Sequence, residues 1–158
     1  MKKRFLLLFA VLVIAISATG CGEDPKLEKF RNDMDSFCQD ISEIDTNINN
    51  IDASSESARD ELLGYLDQLD QSFKVLADMS VPEEFSYIEE LADEASSYMT
   101  TAVASYHEAY SNNSYNEYTA EYARENYERA CKRVTVMIKL LHGENISDAD
   151  VTVEEVTE

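Results

Sequence analysis

Apolar residues recur along this chain at alternating intervals of three and four positions, in four separate blocks. The first block runs unbroken from residue 27 to residue 51. The other three span residues 62–76, 85–109 and 120–141. Alternating intervals of three and four place apolar side chains on one face of an α-helix, with the repeat of a heptad. The pattern therefore predicts four amphipathic helices.

Residues between the blocks predict where each helix begins and ends. Pro25 and Pro82 are typical of the first helical position, where the missing N–H costs nothing. Ser114 followed three residues later by Glu117 predicts a capping box, and Gly143 predicts a C-terminal stop. The predicted helices span about residues 25–50, 57–79, 82–111 and 115–142.

Four long helices joined by short turns predict an all-α fold, an antiparallel up-down-up-down four-helix bundle with left-handed coiled-coil-like packing. Such a bundle is about 40 Å long. The alternative is two helical hairpins that pack only as a dimer, and we favour the monomer. Residues 143–158 carry acids and no base, which predicts a disordered tail.

The first twenty residues have a different pattern. Three basic residues at positions 2–4 precede an apolar run over 5–16, and small residues at 17–20 lead to Cys21. A basic start, a short apolar core and a small-residue exit are typical of a secretory signal peptide. The run is too short for an ordinary transmembrane helix. We therefore predict that residues 1–20 are removed.

The sequence Ala18-Thr19-Gly20-Cys21 resembles the lipobox of bacterial lipoproteins, with Ala18 in place of the usual Leu. The resemblance implies cleavage before Cys21 and a diacylglycerol, with acyl chains such as palmitate, on its thiol. Residues 21–24 would then be a short tether, and the protein would be anchored at the extracytoplasmic face of the cell membrane.

A second likeness rests on Cys21-Gly22 and on residues 69–109, which include Val81-Pro82-Glu83-Glu84-Phe85. These stretches are similar to short helical lipoproteins of Gram-positive bacteria. This likeness is one of general character, and it implies no activity.

The charge of the chain narrows the classes of partner. Thirteen basic and thirty-two acidic residues give a formal net charge of −19, and removal of the leader makes it more negative. Such a surface repels nucleic acid and anionic lipid headgroups, so we predict no nucleic-acid partner. Membrane association is expected through the lipid on Cys21.

Two cysteines remain once Cys21 is assigned to the lipid. Counted from the membrane end, Cys38 lies about 20 Å up the first helix and Cys131 about 17 Å up the fourth. Both follow a core position on helices that neighbour each other in an up-down bundle. The spacing predicts a Cys38–Cys131 disulfide, with two buried free thiols as the alternative.

The residue types needed for catalysis or metal binding do not occur in the required patterns. His107 and His142 fall on different helices, and Ala104 stands where a Glu-x-x-His motif would need a glutamate. The chain has no G-x-S-x-G sequence. We therefore predict no enzyme activity, no metal site and no cofactor.

Tyrosines and asparagines concentrate around the turn between the third and fourth helices. The candidate recognition residues are Tyr110, Tyr115, Tyr118, Tyr122, Asn112 and Asn113. Tyrosine with asparagine is typical of adaptable recognition surfaces. Tyrosines that merely close the end of a thin bundle would give the same pattern, so packing is the alternative.

The sequence favours a non-catalytic binding or interaction module with a protein or cell-wall partner at the tip farthest from the membrane. One alternative is a small-ligand or cation-binding accessory protein of a membrane complex. Another is an envelope structural or stress protein.

Overall fold

The computed structural model of the protein describes residues 24–111, 115–144 and 146. The helices of these residues are α1 (Pro25–Asn49), α2 (Ala58–Ala77), α3 (Tyr87–Ser111) and α4 (Glu117–Leu141). The predicted leader, Cys21 and most of the predicted acidic tail lie outside the described residues. No helix among those described is both long and apolar enough to cross a membrane.

The four helices share a single apolar core, which confirms the predicted all-α bundle. Contacts between α2 and α3 show their antiparallel arrangement: Asp70 accepts a hydrogen bond from Thr100 at 2.6 Å, and Asp67 contacts His107 at 2.7 Å. The start of α1 and the end of α4 lie at one end of the bundle, here called the basal end. The α1–α2 and α3–α4 connections lie at the opposite, distal end.

The most extensive backbone contact is between α3 and α4. Small buried residues let two helix axes approach closely, and both helices contribute alanines to the core. The buried alanines of the two helices are Ala92, Ala95, Ala102, Ala109, Ala120, Ala123 and Ala130. Packing between α1 and α2 instead uses larger side chains, such as Phe37 against Phe73 with ring centroids 5.4 Å apart.

The helix after Pro82 begins later than predicted. Residues Glu83–Phe85 form a 3₁₀ turn, closed by a hydrogen bond from the Phe85 N–H to the Pro82 carbonyl at 2.8 Å, and α3 begins at Tyr87. The tighter turn brings the Phe85 ring onto Phe30, with centroids 6.2 Å apart. The prediction that α3 starts at Pro82 is therefore wrong, because this segment closes the basal end of the core.

The start of α4 also differs from the prediction. Its N-cap is Asn116, whose side-chain oxygen accepts a hydrogen bond from the Thr119 N–H at 3.1 Å. The predicted cap, Ser114, lies outside the described residues. Asparagine at the N-cap satisfies a backbone donor that the first helical turn leaves unpaired, and α4 therefore begins at Glu117.

The end of α4 follows the prediction at Gly143. This residue has a φ of 69°. Its N–H donates to the Leu140 carbonyl, and the Glu144 N–H donates to the Lys139 carbonyl, both at 2.9 Å. This pair of hydrogen bonds is a Schellman motif, which satisfies carbonyls that the helix end would leave unpaired.

Two glycine substitutions should have opposite effects on stability. Gly143→Ala should lower the free energy of unfolding by about 1 kcal/mol, because an L-residue is strained at positive φ. Gly64→Ala should raise it by about 1 kcal/mol, since Gly64 is exposed within α2 and its new methyl group would contact nothing. Urea denaturation followed by circular dichroism measures both, and a stabilising Gly143→Ala would contradict the helix stop.

Candidate functional site

Three tyrosines form an exposed face at the distal end, here called the tyrosine face. Tyr115, Tyr118 and Tyr122 follow one another at intervals of three and four residues. Their exposed fractions are 56%, 86% and 48%. Tyr115 precedes the N-cap of α4, and Tyr118 and Tyr122 lie on its first turns, so large exposed rings surround the α4 start and are available to a partner.

The tyrosine face is held in place by the connection between α3 and α4. The Asn116 N–H donates to the Ala109 carbonyl at 3.1 Å, which ties the start of α4 to the last turn of α3. The Tyr115 ring packs against the Tyr110 ring, with centroids 5.2 Å apart and planes at 51°. Tyr110 is half-buried, and burial together with its neighbour Tyr115 raises the pKa of its hydroxyl.

The structure thus divides the predicted recognition residues. Tyr110 packs against the core, whereas the residues of the tyrosine face are exposed, with one side of the Tyr115 ring on Tyr110. Asn112 and Asn113 lie outside the described residues. Tyr106 and Tyr127, which occupy core positions of the heptad pattern, are buried, and burial raises the pKa of both hydroxyls.

A shallow groove lies beside Tyr110, between the start of α2 and the end of α3; we call it the α2–α3 groove. Its volume is about 530 Å³, and most of it is open to solvent. The groove is lined by Arg59, Asp60, Leu63, His107, Glu108, Tyr110 and Ser111. Tyr110 also contacts Tyr115, so the groove adjoins the tyrosine face.

Arg59 and His107, which line the α2–α3 groove, both have acidic partners. Arg59 lies 2.7 Å from Asp60, and the His107 Nε2 lies 2.7 Å from the Asp67 Oδ1. Sequence reasoning missed this groove because its residues come from two helices whose relative register the heptad pattern leaves open. The sequence signal that could have indicated this register is the pairing of Asp67 and Asp70 with polar residues of α3.

The predicted Cys38–Cys131 disulfide is wrong, because both cysteines are free thiols in the structure. Both are half-buried beside the core, as their places next to core positions predict. The charge that reaches the Cys131 thiol from α1 comes from Asp45, which lies seven residues, or about 10 Å, beyond Cys38. The two helices are also less close than the prediction assumed, because α1 and α4 make far less backbone contact than α3 and α4 do.

Cys131 belongs instead to a polar cluster with Tyr127 and Asp45. Tyr127 lies one helical turn before Cys131, with its ring buried and the cysteine side chain half-buried. Burial, together with the charges of Asp45 and Glu128, raises the pKa of the Cys131 thiol to about 12. A thiol that stays protonated at neutral pH is a poor nucleophile and a poor metal ligand. This cluster is consistent with a structural role.

Asp45 has a polar atom that the fold leaves unpaired. Its Oδ2 accepts a hydrogen bond from Asn49 at 3.1 Å, whereas its Oδ1 is buried without a hydrogen-bond partner. Burial raises the pKa of this carboxyl group. In the described part of the chain, no group of three or more His, Cys, Asp and Glu side chains is arranged to hold a metal ion.

Asp45→Asn should stabilise the protein at neutral pH. A raised pKa means that the folded state binds the proton more tightly than the unfolded state, so stability falls as pH rises through the folded pKa. Removing the charge should raise the free energy of unfolding at pH 7 by about 1 kcal/mol, the scale of an unpaired buried polar group.

The matched control is Asp40→Asn, which removes the same charge from an exposed position of α1. Chemical denaturation from acid to neutral pH should show a gain for Asp45→Asn that grows with pH and exceeds that of the control. An equal gain in both variants would mean that relief of general repulsion accounts for it.

Comparisons with known proteins complete the description of the site. The chain matches no family model, no curated protein and no solved structure among those compared.

Proposed function

We propose that this protein is a non-catalytic interaction module, anchored by a lipid on Cys21 at the extracytoplasmic face of the cell membrane. In this proposal the tyrosine face binds a macromolecular partner at the end of the bundle farthest from the membrane. The observation that carries the proposal is the exposure of Tyr115, Tyr118 and Tyr122 around the start of α4 at the distal end.

The location is supported by the leader and by the start of α1. Residues 1–21 have the charged start, apolar run and lipobox-like exit of a lipoprotein signal. Asp24 caps α1 only three residues after Cys21, with its side chain accepting from the Lys26 N–H at 3.0 Å. A lipid on Cys21 would therefore hold the basal end near the membrane and the tyrosine face about 40 Å away.

The choice of an interaction surface is supported by the chemistry of tyrosine. Its ring gives a large contact area and its hydroxyl forms hydrogen bonds, while only two side-chain torsions lose freedom on binding. Tyr118, at 86% exposure, gains little from folding, and the neighbouring Tyr115 and Tyr122 extend the same surface. Aromatic residues of this kind are enriched among the residues that dominate binding energy.

Cys21→Ala should abolish the lipid anchor. Without the thiol there is no atom to receive the diacylglycerol, so labelled fatty acid should no longer be incorporated and the protein should leave the membrane fraction. Cys38→Ala is the matched control, since this half-buried thiol lies within α1. Undiminished labelling of Cys21→Ala would contradict the proposed anchor.

Photo-cross-linking on intact cells tests the interaction. A photoreactive amino acid at Tyr118 should give a discrete high-mass product, because this side chain lies at the proposed contact. The same amino acid at Tyr87, which is 49% exposed at the basal end, should give none of that product.

A variant with serine at all three positions of the tyrosine face provides the complementary measurement. Its melting temperature should equal that of the parent chain, because these side chains are exposed. It should no longer bind the partner. A large fall in melting temperature would show instead that the rings serve the fold. Equal cross-linking from Tyr118 and Tyr87 would contradict a distal binding surface.

A further inference from the structure

We propose that the α2–α3 groove binds a lysine or arginine side chain of a basic protein partner. The inference rests on the proposed function and names the chemistry of its partner. The groove lies at the distal end and shares Tyr110 with the packing that supports the tyrosine face. One partner segment can therefore cover the exposed rings and place an anchoring side chain in the groove.

The lining of the groove matches the two parts of a long cationic side chain. Leu63 and the Tyr110 ring provide apolar surface for the methylene stem, and the Glu108 carboxylate provides the negative charge for the head group. Lysine and arginine bury their stems along apolar surface while their charges remain at the edge. A groove of about 530 Å³ has room for such a side chain and adjoining backbone.

The charges already present in the groove do not oppose a cation. Arg59 is neutralised by Asp60, and His107 lies in hydrogen-bond contact with Asp67. Over the part of the chain that the structure describes, the Glu108 carboxylate pairs with neither Arg59 nor His107. Glu108 is exposed and remains available to a charge-assisted hydrogen bond from a partner.

The charge of the whole molecule favours this occupant over the others. A formal net charge of −19 attracts basic segments and accelerates their association. The same charge opposes a second copy of this chain, which would bring its own acids against Glu108. A neutral glycan would gain nothing from this field.

The exposed rings beside the groove favour further cationic side chains on the same partner. A guanidinium or ammonium group over the face of a tyrosine gains a cation–π interaction. Arginine stacks on such rings as well as forming paired hydrogen bonds with carboxylates. Tyr115, which packs on the groove residue Tyr110, supplies such a ring, and Tyr118 is the most exposed ring of the tyrosine face.

Fluorescence anisotropy with the full-length chain in detergent tests the inference. The probe is a labelled twelve-residue peptide that alternates arginine and serine, titrated at physiological salt. The parent chain should bind it, and Glu108→Gln should raise the Kd about tenfold, the effect of losing a charged hydrogen bond. Glu90→Gln is the control, because it removes the same charge from an exposed position near the basal start of α3. Its Kd should change by less than about twofold.

Tyr118→Leu and Tyr118→Phe separate the rings from general charge. The leucine variant should weaken binding about threefold, whereas the phenylalanine variant retains the ring and should bind nearly as well as the parent. If Glu108→Gln and Glu90→Gln weaken peptide binding equally, the peptide is held by the general charge of the chain, and the proposed binding site in the groove is wrong.

Failure of this inference can be distinguished from failure of the proposed function. If the peptide does not bind but Tyr118 still cross-links on cells, the inference of a basic partner is wrong and the proposed distal interaction is retained. Binding of a neutral N-acetylglucosamine tetramer in place of the peptide would likewise overturn it in favour of a glycan. Loss of both peptide binding and cross-linking would overturn both proposals.

Discussion

The close packing of alanines between α3 and α4 fixes the register of these two helices, and both the bundle and its distal end depend on that register. Because the axes approach closely, a shift along the helix would force larger side chains into the space that alanines fill. The same register brings Arg133 of α4 into an ion pair with Glu94 of α3 and over the Tyr98 ring, 5.9 Å from its centroid. At the other end it places Tyr115 on Tyr110.

The heptad pattern was sufficient to predict the four helices because local periodicity decides which face of each is buried. It could not predict how far one helix is displaced along another, since every heptad offers an equivalent register. The predicted Cys38–Cys131 bond failed because α1 and α4, taken as close neighbours in the bundle, make little backbone contact. The α2–α3 groove was missed because the pattern does not give the register that brings Leu63 and Glu108 together.

The two ends of the bundle are built from different chemistry. At the basal end, Phe85 and Phe30 stack across the core, and Pro82 is buried beneath the 3₁₀ turn. Toward the distal end the interior accepts polar groups: the buried Asn126 donates to the Tyr122 carbonyl of its own helix at 2.8 Å, and Asp45 carries an unpaired oxygen. The interior toward the distal end is therefore more polar than the basal end, where aromatic rings close the core.

This difference bears on the alternative roles of the tyrosines. A tyrosine that closes the end of a bundle gains from burial, as Tyr110 does against the core, Tyr106 within it and Tyr127 beside Cys131. Tyr118 has 86% of its surface exposed, so the same driving force is nearly absent for it. Single exposed aromatic residues are common on protein surfaces, but here three follow one another on a strongly acidic chain, next to a groove that contains a carboxylate. Aromatic rings beside negative charge form a surface that suits a cationic partner better than it suits the core of the protein itself.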